Sequence, residues 1–212
     1  MLYKFACWLS SVFFALFYKT SYEGLENVPA DRTLIICSNH ISMLDMFLFG
    51  HKLPMKIHFM AKQELFKVPV LRTIIKSLGA YPVKRGHGDL QAAKTTLKLL
   101  KEGKTIGIFP EGHRRNKSRV KLKPKSGAIL FALESGVQIQ PVGIFGNYRL
   151  FSKLRVVYGK PYSPKLKDNG KTTKVQMQEL ADELMEKIYS LENQAYGSNE
   201  QSNTVEKTDE SL

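Results

Sequence analysis

TLIICS at 33–38 and TIGIF at 105–109 are uncharged, β-branched runs of strand length, and each gives way to apolar residues at helical spacing. Runs of this kind read as strands buried on both faces, which parallel sheets covered by helices require. Further strands are predicted at 56–60, 80–83, 138–145 and 154–158. Helices are predicted at 42–49, 70–78, 89–101, 127–134 and 173–191. In the 89–101 segment Leu90, Ala93, Leu97 and Leu100 share one face; in 173–191 the stripe is Leu180, Leu184, Ile188 and Leu191. Strands alternating with helices predict an α/β fold with a mostly parallel or mixed central sheet flanked by helices.

The chain has 212 residues, 43% of them hydrophobic and 24% charged. That excludes a disordered chain, a coiled coil and a polytopic membrane protein. The expected organisation is a membrane-associated N-terminal helix over 1–20, one catalytic domain over 21–196, and a disordered polar tail over 197–212. Cys7 and Cys37 form no disulfide framework, and the histidines and cysteines lack zinc spacing, so the expected setting is reducing and metal-free. Cys37, beside a histidine loop, reads either as a nucleophile or as a small buried strand residue; the second is the expectation.

Net charge is +13, and the tail is acidic, so the body is more basic than the whole. Such a body attracts nucleic acid, an anionic membrane surface or phosphorylated substrates. Residues 5–18, FACWLSSVFFALFY, hold no charge and are flanked by Lys4 and Lys19. As a helix this stretch is roughly 21 Å long, short of the ~30 Å hydrocarbon core. It reads either as the first core helix or as a helix lying in the membrane interface. Trp8, Tyr3 and Tyr18 suit the headgroup level, and the interfacial reading is the expectation, at the cytoplasmic face of the cell membrane.

Three blocks at predicted strand ends can carry chemistry, since α/β sheets place their sites there. In the first, Ser38-Asn39-His40-Ile41-Ser42-Met43-Leu44-Asp45, a helix starting at Ser42 would put Asp45 in its first turn. The carboxylate can then fix one ring nitrogen of His40 and raise the basicity of the other. Ser42-x-x-Asp45 is equally a capping-box variant, in which Asp45 only holds backbone amides. The second block, Phe109-Pro110-Glu111-Gly112-His113-Arg114-Arg115, offers arginine forks for phosphate or is a basic surface turn. The cations Lys117, Arg119, Lys121, Lys123 and Lys125 follow it, too many to be site residues together. The third is Tyr81-Pro82-Val83-Lys84-Arg85-Gly86. Gln140-Pro141-Val142 reads as a buried strand.

Together these blocks resemble the glycerolipid acyltransferases typified by bacterial 1-acylglycerol-3-phosphate acyltransferase. Asn39-His40 with Asp45, Lys84-Arg85-Gly86, Phe109-Pro110-Glu111-Gly112 with Arg114, and Gln140-Pro141-Val142 match in order and spacing across residues 22–159. His113 and Arg115 depart from the family's usual Thr and Ser.

The resemblance implies that His40 is the catalytic base and Asp45 its partner. It implies that Lys84, Arg85, Glu111, Gly112 and Arg114 bind the phosphate-bearing acceptor. Lysophosphatidic acid would be acylated from acyl-CoA or acyl-carrier protein, with no cofactor and no metal. Amides near Ser42 are the expected oxyanion donors. Glycerol 3-phosphate or another lysophospholipid is the alternative acceptor. Outside the class stands a basic module for membrane or nucleic acid, although no nucleic-acid motif is present, so no nucleic-acid partner is expected.

Overall fold

The computed structural model describes residues 1–84, 89–114, 123–166 and 173–205, the last stretch as backbone beyond 194. The elements run α1 (Leu2–Phe17), β1 (Lys19–Glu23), β2 (Ile35–Ser38), α2 (Asp45–Gly50), β3 (Ile57–Lys62), α3 (Pro69–Ser77), β4 (Tyr81–Val83), α4 (Leu90–Lys101), β5 (Thr105–Ile108), α5 (Gly127–Ser135), β6 (Ile139–Gly146), β7 (Lys153–Tyr158) and α6 (Lys174–Val205). Short 3-10 helices lie at Leu25–Asn27 and Gln63–Lys67. The α6 helix runs beyond 191 into the stretch from 197 that the sequence marks as a polar tail.

One seven-stranded sheet results, in the order β1-β7-β6-β2-β5-β3-β4. Strands β2 to β6 are mutually parallel where they pair; β7 runs antiparallel to β6, and β1 runs parallel to β7. The expected mixed edge is therefore the β6–β7–β1 side. β1 escapes sequence reading because KTSYE carries no apolar run and only β7 pairs with it.

Side chains of β2 alternate between two cores, as the two-residue period of a strand requires. Ile35 and Cys37 face α4, α5 and α6, where Leu100, Ile129 and Leu184 are buried. Leu34 and Ile36 belong to the opposite cluster with Phe14 of α1, Leu48 and Phe49 of α2, and Tyr158 of β7. Burial pushes the Cys37 thiol far above its ordinary range, so this cysteine is a core residue and not a nucleophile.

Register places the loops that matter. Cys37 lies opposite Ile108 of β5 and Pro141 of β6. Three residues beyond that level come His40 and Glu111, at the same carboxyl edge. Asn39 anchors the first of these loops: its buried amide donates to the Ile144 carbonyl and accepts from the Ile144 N–H, both at 2.8 Å. A side chain thus takes the place of a strand partner for β6.

Asn39→Ala is expected to orphan both backbone groups of Ile144, at about 1–3 kcal/mol for each unsatisfied group. Urea denaturation should show that loss, and the ordering of the His40 loop should go with it.

Candidate active site

The loop after β2 turns tightly before α2 begins. The helix starts at Asp45 and not at Ser42, with a turn closed by Asp45 N–H donating to the Ser42 carbonyl. The carboxylate still reaches back. Asp45 Oδ2 lies 2.8 Å from His40 Nδ1 and accepts the N–H groups of Ile41 and Ser42 at 2.7 and 2.8 Å. Its other oxygen, Oδ1, accepts the Tyr148 hydroxyl at 2.7 Å. Asp45 therefore holds both the imidazole and the loop, and not backbone amides alone.

Asp45 has no solvent exposure, so an ionised carboxylate there needs these four donors. With Nδ1 donating to Asp45, Nε2 is the basic nitrogen left for a substrate. The His40 ring is 13% exposed and stacks on Phe109, centroids 4.0 Å apart. The amides of Ile41 and Ser42 are spent on Asp45, and the Leu44 amide donates to Ser42 Oγ. The expectation of oxyanion donors near Ser42 is corrected accordingly for these three amides.

His40 lines a cleft of about 530 Å³ at the carboxyl edge of the sheet. Its walls are mainly apolar, from Phe59, Met60, Ile108, Phe109, Leu130 and Phe131, with Lys84 and Lys125 contributing cations. Gly107 makes room for one wall, since a Cβ there would stand 2.1 Å from the Phe59 ring.

The Phe109–Gly112 segment turns back on itself, Gly112 N–H donating to the Phe109 carbonyl at 2.9 Å. Gly112 sits at φ +72°, and a Cβ would meet Lys125 Cε at 3.0 Å. Lys125 N–H in turn donates to the Pro110 carbonyl. The glycine therefore permits both the turn and the approach of a cation to the cleft.

The expected site residues separate into three groups. His40, Lys84 and Gly112 line the cleft. Glu111 is buried and is absent from that lining; its Oε1 accepts the Tyr189 hydroxyl of α6 at 2.8 Å. Arg114 is exposed and also absent from the lining. Arg85 and Gly86 lie outside the described residues, as do residues 115–122 of the basic run. Asp89 Oδ2 accepts the Lys84 N–H, and Oδ1 caps α4 through Gln91 and Ala92. The amides of Lys84 and Ala92 hold the Asp89 carboxyl below its usual range.

Tyr148 and Tyr189 are the residues that sequence reasoning missed. Tyr148 is 103 positions from Asp45, and Tyr189 is 78 from Glu111. No local spacing links such pairs. Their only trace is a tyrosine just beyond a predicted strand and another within a predicted helix.

Residues 19–145 match a family model described as Acyltransferase. The chain is 32% identical to the 1-acyl-sn-glycerol-3-phosphate acyltransferase of Bacillus subtilis, over 76% of this chain and 82% of that one. It is 30% identical to the enzyme of the same name from Borreliella burgdorferi, over 71% of this chain and 58% of that longer one. The crystal structure of the 1-acyl-sn-glycerophosphate (LPA) acyltransferase of Thermotoga maritima superimposes with a TM-score of 0.72. Identity there is 28%, over 91% of this chain and 79% of that one.

Gly112→Ala is expected to cost about 1–2 kcal/mol for a side chain in the left-handed region. Displacement of Lys125 adds to that cost. Urea denaturation measures the loss, and a raised KM for an anionic substrate should accompany it.

Proposed function

Because the chain belongs to the acyltransferase family, we propose that this O-acyltransferase acylates the free hydroxyl of 1-acylglycerol 3-phosphate, giving phosphatidic acid. The observation that carries the reading is the His40–Asp45 pair at 2.8 Å, beside an apolar cleft that also holds Lys84 and Lys125.

His40 Nε2 takes the proton of the acceptor hydroxyl as its oxygen attacks the thioester carbonyl of acyl-CoA or acyl-carrier protein. The C–O bond forms, the C–S bond breaks, and the imidazolium returns the proton to the departing thiolate. Asp45 holds the ring and stabilises its charged form, and Tyr148 and two amides hold Asp45. The apolar walls suit a fatty acyl chain. Lys84 and Lys125, with Arg85 and Arg114 from the flanking segments, are assigned to the phosphate, where an arginine fork suits the anion best. Glu111, bonded to Tyr189, is assigned to hold the turn that carries Gly112.

A lipid acceptor also fits the N-terminal helix. α1 buries Phe14, 1% exposed, while Phe5, Trp8, Leu9 and Leu16 face out. No helix among the described residues is long and apolar enough to cross a membrane. We assign α1 to the bilayer interface, docked on the body by one face and open to lipid on the other.

Purified full-length protein given labelled acyl donor and lysophosphatidic acid should form phosphatidic acid. His40→Ala should lose about 10²–10⁴-fold in kcat while staying folded, with a lowered melting temperature because buried Asp45 loses one of its donors. Normal turnover in that folded variant would overturn the mechanism. Lys84→Ala and Arg114→Ala should raise KM for the acceptor and leave kcat nearly intact, since each removes binding to phosphate.

Tyr148→Phe should lower kcat about tenfold at constant KM, as expected of a residue that acts through Asp45. In an Asp45→Asn background it should add little, because the two changes break one network. Additive losses would show that Tyr148 does not work through the carboxylate.

A further inference from the structure

Between β3 and β4 the chain contributes two helices, the 3-10 helix Gln63–Lys67 and α3 (Pro69–Ser77), that hold no fully buried residue. Yet residues 65–78 include Leu65, Phe66, Val68, Val70, Leu71, Ile74, Ile75 and Leu78. Helices in small domains normally form by burying an apolar face, so this one lacks its covering layer among the described residues.

The arrangement along α3 shows which side is uncovered. At about 100° per residue, Val70, Ile74, Leu78, Leu71 and Ile75 fall within one arc of roughly 140°. Leu71, Ile75 and Leu78 form the partly buried side of that arc. Val70 and Ile74 form the other side and are 72% and 42% exposed; Val68 and Leu65 extend the exposed apolar surface ahead of the helix. Lys62, Lys67, Arg72 and Lys76 accompany it, against Glu64 as the one carboxylate in 62–78.

Lys56 links the end of α3 to the start of α1. Lys56 Nζ donates to the Ser77 carbonyl at 2.7 Å, at the end of α3, and lies 5.7 Å from the Tyr3 ring centre, at the start of α1. The Tyr3 hydroxyl donates to the Met55 carbonyl and accepts the Ile57 N–H. The segment also begins directly after β3, whose Phe59 and Met60 line the cleft.

From this we infer that the Leu65–Ile74 face is a second membrane-contact surface, which seats the protein on an anionic bilayer beside the cleft mouth. Exposed aliphatic residues rimmed by cations are the combination that an anionic lipid surface attracts and retains. The inference rests on the reading that the acceptor is a bilayer lipid. It adds that α1 is not the sole contact, so the body is held by two elements and cannot pivot freely about one.

Tryptophan fluorescence tests the assignment on the full chain, whose single tryptophan is Trp8. The wild type reports on α1, and the Trp8→Phe/Val70→Trp variant reports on α3. Vesicles of mixed phosphatidylcholine and phosphatidylglycerol are expected to shift both emissions to shorter wavelength, with weaker shifts on pure phosphatidylcholine. Val70→Ser/Ile74→Ser should weaken binding to the mixed vesicles about tenfold, the order set by two half-exposed aliphatic side chains. Circular dichroism and turnover on a water-dispersed, short-chain acceptor should be unchanged in that variant. If Trp8 responds while Trp at 70 is silent, α1 alone meets lipid and the α3 assignment falls, leaving the membrane reading intact. If neither responds, both fall. A shift of the residue-70 signal with protein concentration, without vesicles, would mean that a second copy covers this face, which also overturns the assignment.

Discussion

A carboxylate with no access to water holds the site together. Burying an unpaired charge costs many kilocalories per mole, so Asp45 is stable as a carboxylate only while its donors stay in place. Those donors come from the His40 ring, from the amides of Ile41 and Ser42, and from Tyr148 beyond β6. The requirement therefore ties the loop after β2, the start of α2 and the far end of the β6 strand into one unit. Catalytic geometry is a by-product of solving a desolvation problem, and the ring presents Nε2 because Nδ1 is needed inside.

The sheet does for the Phe109–Gly112 turn what Asp45 does for the His40 loop. Parallel pairing of β2 with β5 brings the ends of both strands to one level, and the loops of His40 and Phe109 meet there. Their rings stack at 4.0 Å, so the two blocks are in direct contact despite lying far apart in sequence. The turn at Gly112 and the hydrogen bond from the Lys84 amide to Asp89 then set Lys125 and Lys84 around the same cleft. His40, two lysines and an apolar wall thus share one space.

Charge and apolar surface outside the cleft follow the same logic. The chain is basic, and its exposed large apolar side chains concentrate on α1 and between Leu65 and Ile74. Both helices are attached through a narrow set of contacts, α1 by Phe14 and Tyr3 and α3 by its Leu71 side. What the core leaves uncovered on these elements is available to lipid.

The sequence by itself determined the α/β class, the central strands and the order of the chemical blocks. TLIICS and TIGIF leave no choice, since uncharged β-branched runs must be buried, and strand ends next to helices are where loops gather. His40 and Asp45 are legible too, because five residues and one turn separate them and the interaction is local. Tertiary structure decided what depends on distant pairing. β1 exists only because β7 offers an edge to KTSYE. Asp45 owes its fourth donor to a tyrosine 103 residues away. Glu111 meets Tyr189, a partner 78 residues away, and the amides of Ile41 and Ser42, oxyanion donors by sequence, are consumed by Asp45. Local spacing records which groups can meet within a turn or two. Which buried polar group finds which donor is settled only when the whole sheet has closed around it.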